Sequence, residues 1–120
     1  MPDAGKRITL QEYVISECRD KGQNQGLESV IMAIAEGSRR VQQQVQQAAL
    51  ADALGVTGET NVQGEIVQRL DTASSDIFVE TLSQSGQVAA IGCEEIERPV
   101  IVEGDTAEGY IVLMDPLDGS

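Results

Sequence analysis

The chain has 120 residues, enough for one domain at most. Its 8 basic and 20 acidic residues leave a net charge of −12, which argues against nucleic acid and anionic membrane as partners. Histidine is absent, which argues against a zinc site and against Ser-His or Cys-His catalysis within this chain. Cys18 and Cys93 are far apart and show no CxxC spacing, which fits a reduced, cytoplasmic compartment. The first residues, Met1 to about Arg7, are polar and lack the apolar region of a signal peptide. No stretch is long and apolar enough to span a bilayer.

Thr9-Leu10-Gln11-Glu12 fits a capping box, a hydroxyl followed three residues later by glutamate. It predicts a short helix to about Lys21 that buries Leu10 and Val14, with Tyr13 beside them. Gly22-Gln23-Asn24-Gln25-Gly26 breaks it. In the next stretch Leu27, Val30, Ile31, Ile34, Val41, Val45 and Ala48 recur at helical spacing, and Gln42, Gln43, Gln44, Gln46 and Gln47 fall largely on the other faces. A glutamine-rich face could dock a partner; an uncharged solvated or inter-subunit face explains it more simply. Leu54-Gly55-Val56-Thr57-Gly58 ends the element.

A third helix is expected from Val62–Glu65 to about Ser83. Ile66, Leu70, Ala73 and Ile77 form one column on it, and Val67, Ser74 and Phe78 the next. Asp71 lies in that second column, on the flank of the apolar face. An acid there is partly desolvated unless paired, or else it is a rim residue with a local hydrogen bond.

Ser85-Gly86 is a turn. Gln87 to Cys93 reads as a strand that ends in Glu94-Glu95, and Arg98 to Glu103 as another, around Val100-Ile101-Val102. Gly104 to Gly109 reads as a hairpin-like loop leading to a buried strand, Tyr110-Ile111-Val112-Leu113-Met114. That strand delivers Asp115-Pro116-Leu117-Asp118-Gly119-Ser120. Pro116 fixes its own φ and pushes Asp115 towards an extended conformation. Two carboxylates on a rigid turn suit a hard cation such as Mg²⁺ or Mn²⁺. Gly119 and Ser120 offer N–H groups where a helix should begin, a position that attracts phosphate. Read alone, the hexapeptide is equally an ordinary turn, since Asp, Pro and Gly are turn residues for other reasons.

Two strands thus end in acid pairs, with one strand between them in sequence. If both ends lie on the same side of the sheet, four carboxylates converge, which is costly without cations and favourable with two or three. Three helices followed by three strands make a layered α/β arrangement cut short.

In order and spacing, Asn61-Val62-Gln63-Gly64-Glu65, Arg69-Leu70-Asp71, Glu94-Glu95 and Asp115-Pro116-Leu117-Asp118-Gly119-Ser120 resemble class I fructose-1,6-bisphosphatase, from about Ile8 onwards. The last motif is shared across the lithium-sensitive metal-dependent phosphatases and identifies the superfamily better than the substrate. The resemblance implies the N-terminal part, residues 1–120, of a longer sugar-phosphatase domain. Its fold would be N-terminal helices followed by a mainly antiparallel sheet. The reaction it implies is hydrolysis of the 1-phosphate of fructose 1,6-bisphosphate by a metal-activated water, in gluconeogenesis and related carbohydrate metabolism, with Mg²⁺ or Mn²⁺ as cofactor. By the same match Glu94, Glu95, Asp115 and Asp118 are metal ligands, with the Leu117 carbonyl. Asp71, paired with Glu95, helps deprotonate the water. Asp118, Gly119 and Ser120 contact substrate, the last two as backbone donors to the departing phosphate. A cytoplasmic homo-oligomer, a tetramer, is implied as well, and the fragment alone is expected to be inactive or nearly so.

The chain departs from the family pattern in places. Gly22–Gly26 lacks the threonine of the family's AMP-site turn, and Gly109 stands in place of the lysine before Tyr110, which counts against AMP inhibition. Ile96 stands where the animal enzymes have aspartate. The competing readings are a sedoheptulose bisphosphatase, an inositol monophosphatase or another phosphatase of the superfamily, and a non-catalytic acidic interaction module.

Overall fold

The computed structural model describes residues 7–21, 26–53, 62–102 and 109–117. Three helices, α1 (Leu10–Lys21), α2 (Leu27–Ala53) and α3 (Val62–Gln84), precede three strands, β1 (Val88–Cys93), β2 (Val100–Ile101) and β3 (Tyr110–Met114).

Local chemistry accounts for the helix ends. The Glu12 N–H donates to Thr9 Oγ1 at 3.0 Å, the N-cap bond that the sequence predicts. Gly86, at φ +74°, follows the end of α3 in the left-handed conformation that favours glycine.

The core forms where α2 and α3 pack together and onto the sheet. Val30, Ala33, Gly37 and Val41 line one stripe of α2, and Ile77, Phe78 and Leu82 face it from α3. A Cβ at Gly37 would sit 2.7 Å from the Phe78 ring, so the missing side chain is what lets that ring approach the helix. The choice of stripe corrects part of the expected core. Ile34 and Val45 lie at its margin and are exposed. Among the described side chains of α1, Val14 alone is buried, while Leu10 and Tyr13 are 49% and 53% exposed, because α1 packs chiefly on α2 and has no second layer against its other faces among the described residues.

The layered α/β expectation is met, but the described sheet is mixed. Its order is β2-β1-β3, with β2 antiparallel and β3 parallel to β1. The sheet was expected to be mainly antiparallel, with a hairpin-like return into β3. Instead β2 and β3 flank β1 on opposite edges, and the longer pairing is the parallel one.

Register shifts between Val88 and Ala90, where β1 has one more residue than β3. Val88 and Ile91 are an odd number of residues apart, yet both are fully buried. Strict alternation would put them on opposite faces; the bulge resets the phase and leaves Cys93 inward as well. β3 buries one face only: Val112 and Met114 pack on the core, whereas Leu113 is 82% exposed and Ile111 is also exposed. The expected buried strand is therefore half-buried, since the described helices cover a single face of the sheet.

Candidate metal centre

Cys93 and Met114 are register partners at the ends of the parallel strands β1 and β3. The acids that follow them, Glu94 and Asp115, therefore leave the same end of the sheet on adjacent strands. The Glu94 N–H donates to the Met114 carbonyl at 3.3 Å, extending the ladder by one bond. The Ile96 N–H donates to the Cys93 carbonyl at 3.0 Å, so Glu94 and Glu95 are the central residues of a β-turn and their side chains are exposed.

Asp115 is half-buried. Its Oδ2 atom is buried and has no hydrogen-bond partner. Leaving a buried acceptor without a donor costs about 1–3 kcal/mol, and more for a charged one. A cation would meet that demand without a donor, and carboxylates with a backbone carbonyl form the all-oxygen set that Mg²⁺ or Mn²⁺ prefers. The orphaned Asp115 Oδ2 has the chemistry that such an ion takes. Pro116 and Leu117 hold the turn beside the core: Leu117 packs against the apolar cluster, and Pro116 borders a surface cleft of about 340 Å³ with Phe78, Val41 and Val45.

Among the described residues no three acidic or cysteine side chains stand close enough to hold an ion by themselves. Asp118, Gly119 and Ser120 lie outside the described residues, as does the Gly22–Gln25 turn.

Asp71 is half-buried on α3, as its flank position predicts. Sequence reasoning did not single out Ser75, one turn further on. Its Oγ donates to the Asp71 carbonyl at 3.0 Å and lies 3.4 Å from Cys93 Sγ. The signal available was a serine four residues after the acid; the partner across the layer could not be seen. Cys18 and Cys93 are both free thiols.

Residues 8–120 match the family model described as the fructose-1,6-bisphosphatase N-terminal domain. The chain belongs to that family. It is 37% identical over 118 residues to a class 1 fructose-1,6-bisphosphatase of Persephonella marina, covering 98% of this chain and 37% of the relative. It is also 37% identical over 115 residues to the class 1 enzyme of a Synechocystis species, covering 93% of this chain and 33% of the relative. Among solved structures, the holo form of Leishmania major fructose-1,6-bisphosphatase superposes with a TM-score of 0.68 at 28% identity, over 95% of this chain and 33% of that one. The chain thus spans about a third of the length of these relatives.

Among the described residues no helix is long and apolar enough to cross a membrane.

Proposed function

We propose that this chain is the N-terminal part of a cytoplasmic class I fructose-1,6-bisphosphatase that removes the 1-phosphate of fructose 1,6-bisphosphate and works as a homo-oligomer, a tetramer. The observation that carries the reading is the juxtaposition of Glu94 and Asp115 at one end of adjacent parallel strands, with Asp115 Oδ2 buried and unpartnered. Family membership supports the choice of substrate over an inositol or nucleotide phosphate.

In this reading Glu94, Glu95, Asp115 and Asp118, with the Leu117 carbonyl, hold Mg²⁺ or Mn²⁺. Such ions lower the pKa of water and neutralise charge developing on a transferring phosphoryl group. Asp71, working with Glu95, takes the proton of the attacking water. The Gly119 and Ser120 N–H groups, with Asp118 beside them, bind the phosphate. Water attacks phosphorus, the P–O bond to the sugar breaks, the sugar oxygen takes a proton from solvent, and Asp71 returns its proton to solvent.

The test is phosphate release by the full-length protein from fructose 1,6-bisphosphate, sedoheptulose 1,7-bisphosphate and inositol monophosphate with Mg²⁺. Preference for the first is expected, with loss on chelation. Preference for inositol phosphate, or no Mg²⁺-dependent release from any of them, would overturn the reading.

A further inference from the structure

We propose that Ser75 is a positioning residue for this site, fixing Asp71 relative to Glu94–Glu95 through a two-bond relay to Cys93. The inference rests on the phosphatase reading above. A helical serine bonding the carbonyl four residues back is common and by itself means little. Here the same hydroxyl also meets Cys93, the last residue of β1 and the one directly before Glu94.

Proton counting sets the direction of the relay. Ser75 Oγ carries a single hydrogen. The Asp71 carbonyl can only accept, so that hydrogen is committed to it at 3.0 Å. The Cys93 S–H is then the donor to Ser75 Oγ, across 3.4 Å. Ser75 and Cys93 are 2% and 7% exposed, so solvent offers neither group an easy substitute. One hydroxyl therefore ties the peptide of the acid on α3 to the strand end that delivers the two glutamates. Sliding α3 along β1 by a fraction of an ångström would stretch the Cys93–Ser75 bond, the one link of the relay that crosses between helix and sheet. Displacements of that order between reacting groups cost rate steeply.

The test uses the full-length protein with Ser75→Ala, Cys93→Ala, the double variant and Cys93→Ser. Ser75→Ala is expected to lower kcat by about tenfold to a hundredfold and to raise the Mg²⁺ concentration for half-maximal activity, with KM for the sugar bisphosphate within about twofold. The double variant should be no worse than the weaker single, because both remove one relay. Cys93→Ser keeps a donor of similar size and should stay within about threefold of the parent. If Ser75→Ala does not fold, the contrast between Cys93→Ala and Cys93→Ser decides alone. An active parent whose variants lose only melting temperature, with kcat and the Mg²⁺ dependence unchanged, would overturn the inference and leave the phosphatase reading standing. So would multiplicative losses in the double variant, or Cys93→Ser behaving like Cys93→Ala. A parent that releases no phosphate from any sugar bisphosphate would overturn both.

Discussion

Glu94 and Asp115 leave the sheet side by side. Their preceding residues, Cys93 and Met114, are register partners, and the Glu94 N–H bonds the Met114 carbonyl at 3.3 Å. Neighbouring strands run about 4.8 Å apart, so two backbone positions that both carry carboxylates are held close together by main-chain bonds. The parallel pairing matters here. Had β3 paired with β2 as a hairpin, the two acid-bearing ends would have been separated by the width of a strand.

The metal-free protein should pay for that closeness. With Asp115 Oδ2 buried and unpartnered, Asp115→Asn is expected to leave the metal-free protein equally stable or more stable, by up to about 1 kcal/mol. In millimolar Mg²⁺ the sign should reverse, since the parent gains binding energy that the variant lacks. Urea denaturation with and without Mg²⁺ reads both signs.

Gly37 offers a contest between two effects. Alanine would gain about 1 kcal/mol of helix propensity. Its Cβ, however, would stand 2.7 Å from the Phe78 ring and 3.1 Å from Thr81 Oγ1. Forcing a methyl into a filled interface costs about 1–3 kcal/mol, and Phe78 is itself buried by α2 and the sheet. Gly37→Ala should therefore destabilise, by about 1 kcal/mol net, seen as a lower denaturation midpoint at an unchanged slope.

Leu82 and Leu113 are the same residue type in opposite settings. Leu82 is fully buried at the end of α3, whereas Leu113 faces outward from β3. Leu82→Ala should cost about 2–5 kcal/mol, enough to consume a large share of the stability of a small domain. Leu113→Ala should stay within about 0.5 kcal/mol. Paired thermal melts make the comparison.

The Glu36–Arg39 pair on α2 gives a prediction in pH. The hydrogen bond from Arg39 holds the Glu36 carboxyl below its ordinary value of 4.5. A depressed folded pKa adds stability that is present above the unfolded value and disappears as pH falls through the folded one. Both side chains are about half exposed, so solvent and salt screen the pair. Glu36→Gln should leave the melting temperature near neutral pH almost unchanged and slightly flatten the acid limb below about pH 4.5. A large loss at pH 7 would show that Glu36 has a further role.

Elements with strong local signals were legible in the sequence. The Thr9–Glu12 box, the start of α2 at Leu27 and the Tyr110–Met114 strand follow from capping chemistry, glycine placement and an apolar run bounded by breakers. The acids at the two strand ends were legible too, because Glu94 and Asp115 each directly follow an apolar run. Strand partnership was not: β3 pairs with β1 rather than with β2, and no pattern within a single strand specifies which neighbour it takes. Nor was the α2 stripe, since Ile34 and Val45 have the right period and lose their places to a close approach that Gly37 permits. The Ser75–Cys93 contact joins residues 18 apart across two layers, a distance that helical or strand periodicity does not reach.

The most direct measurement is the anomalous diffraction of Mn²⁺ soaked into crystals of the full-length protein. The expected result is a peak bonded to an Asp115 carboxylate oxygen at about 2.0–2.3 Å, with Glu94 or Glu95 sharing the same ion or its neighbour. Manganese bound only elsewhere, with Asp115 Oδ2 taken up by a protein donor, would contradict the idea that the parallel pairing of β1 and β3 builds a cation site.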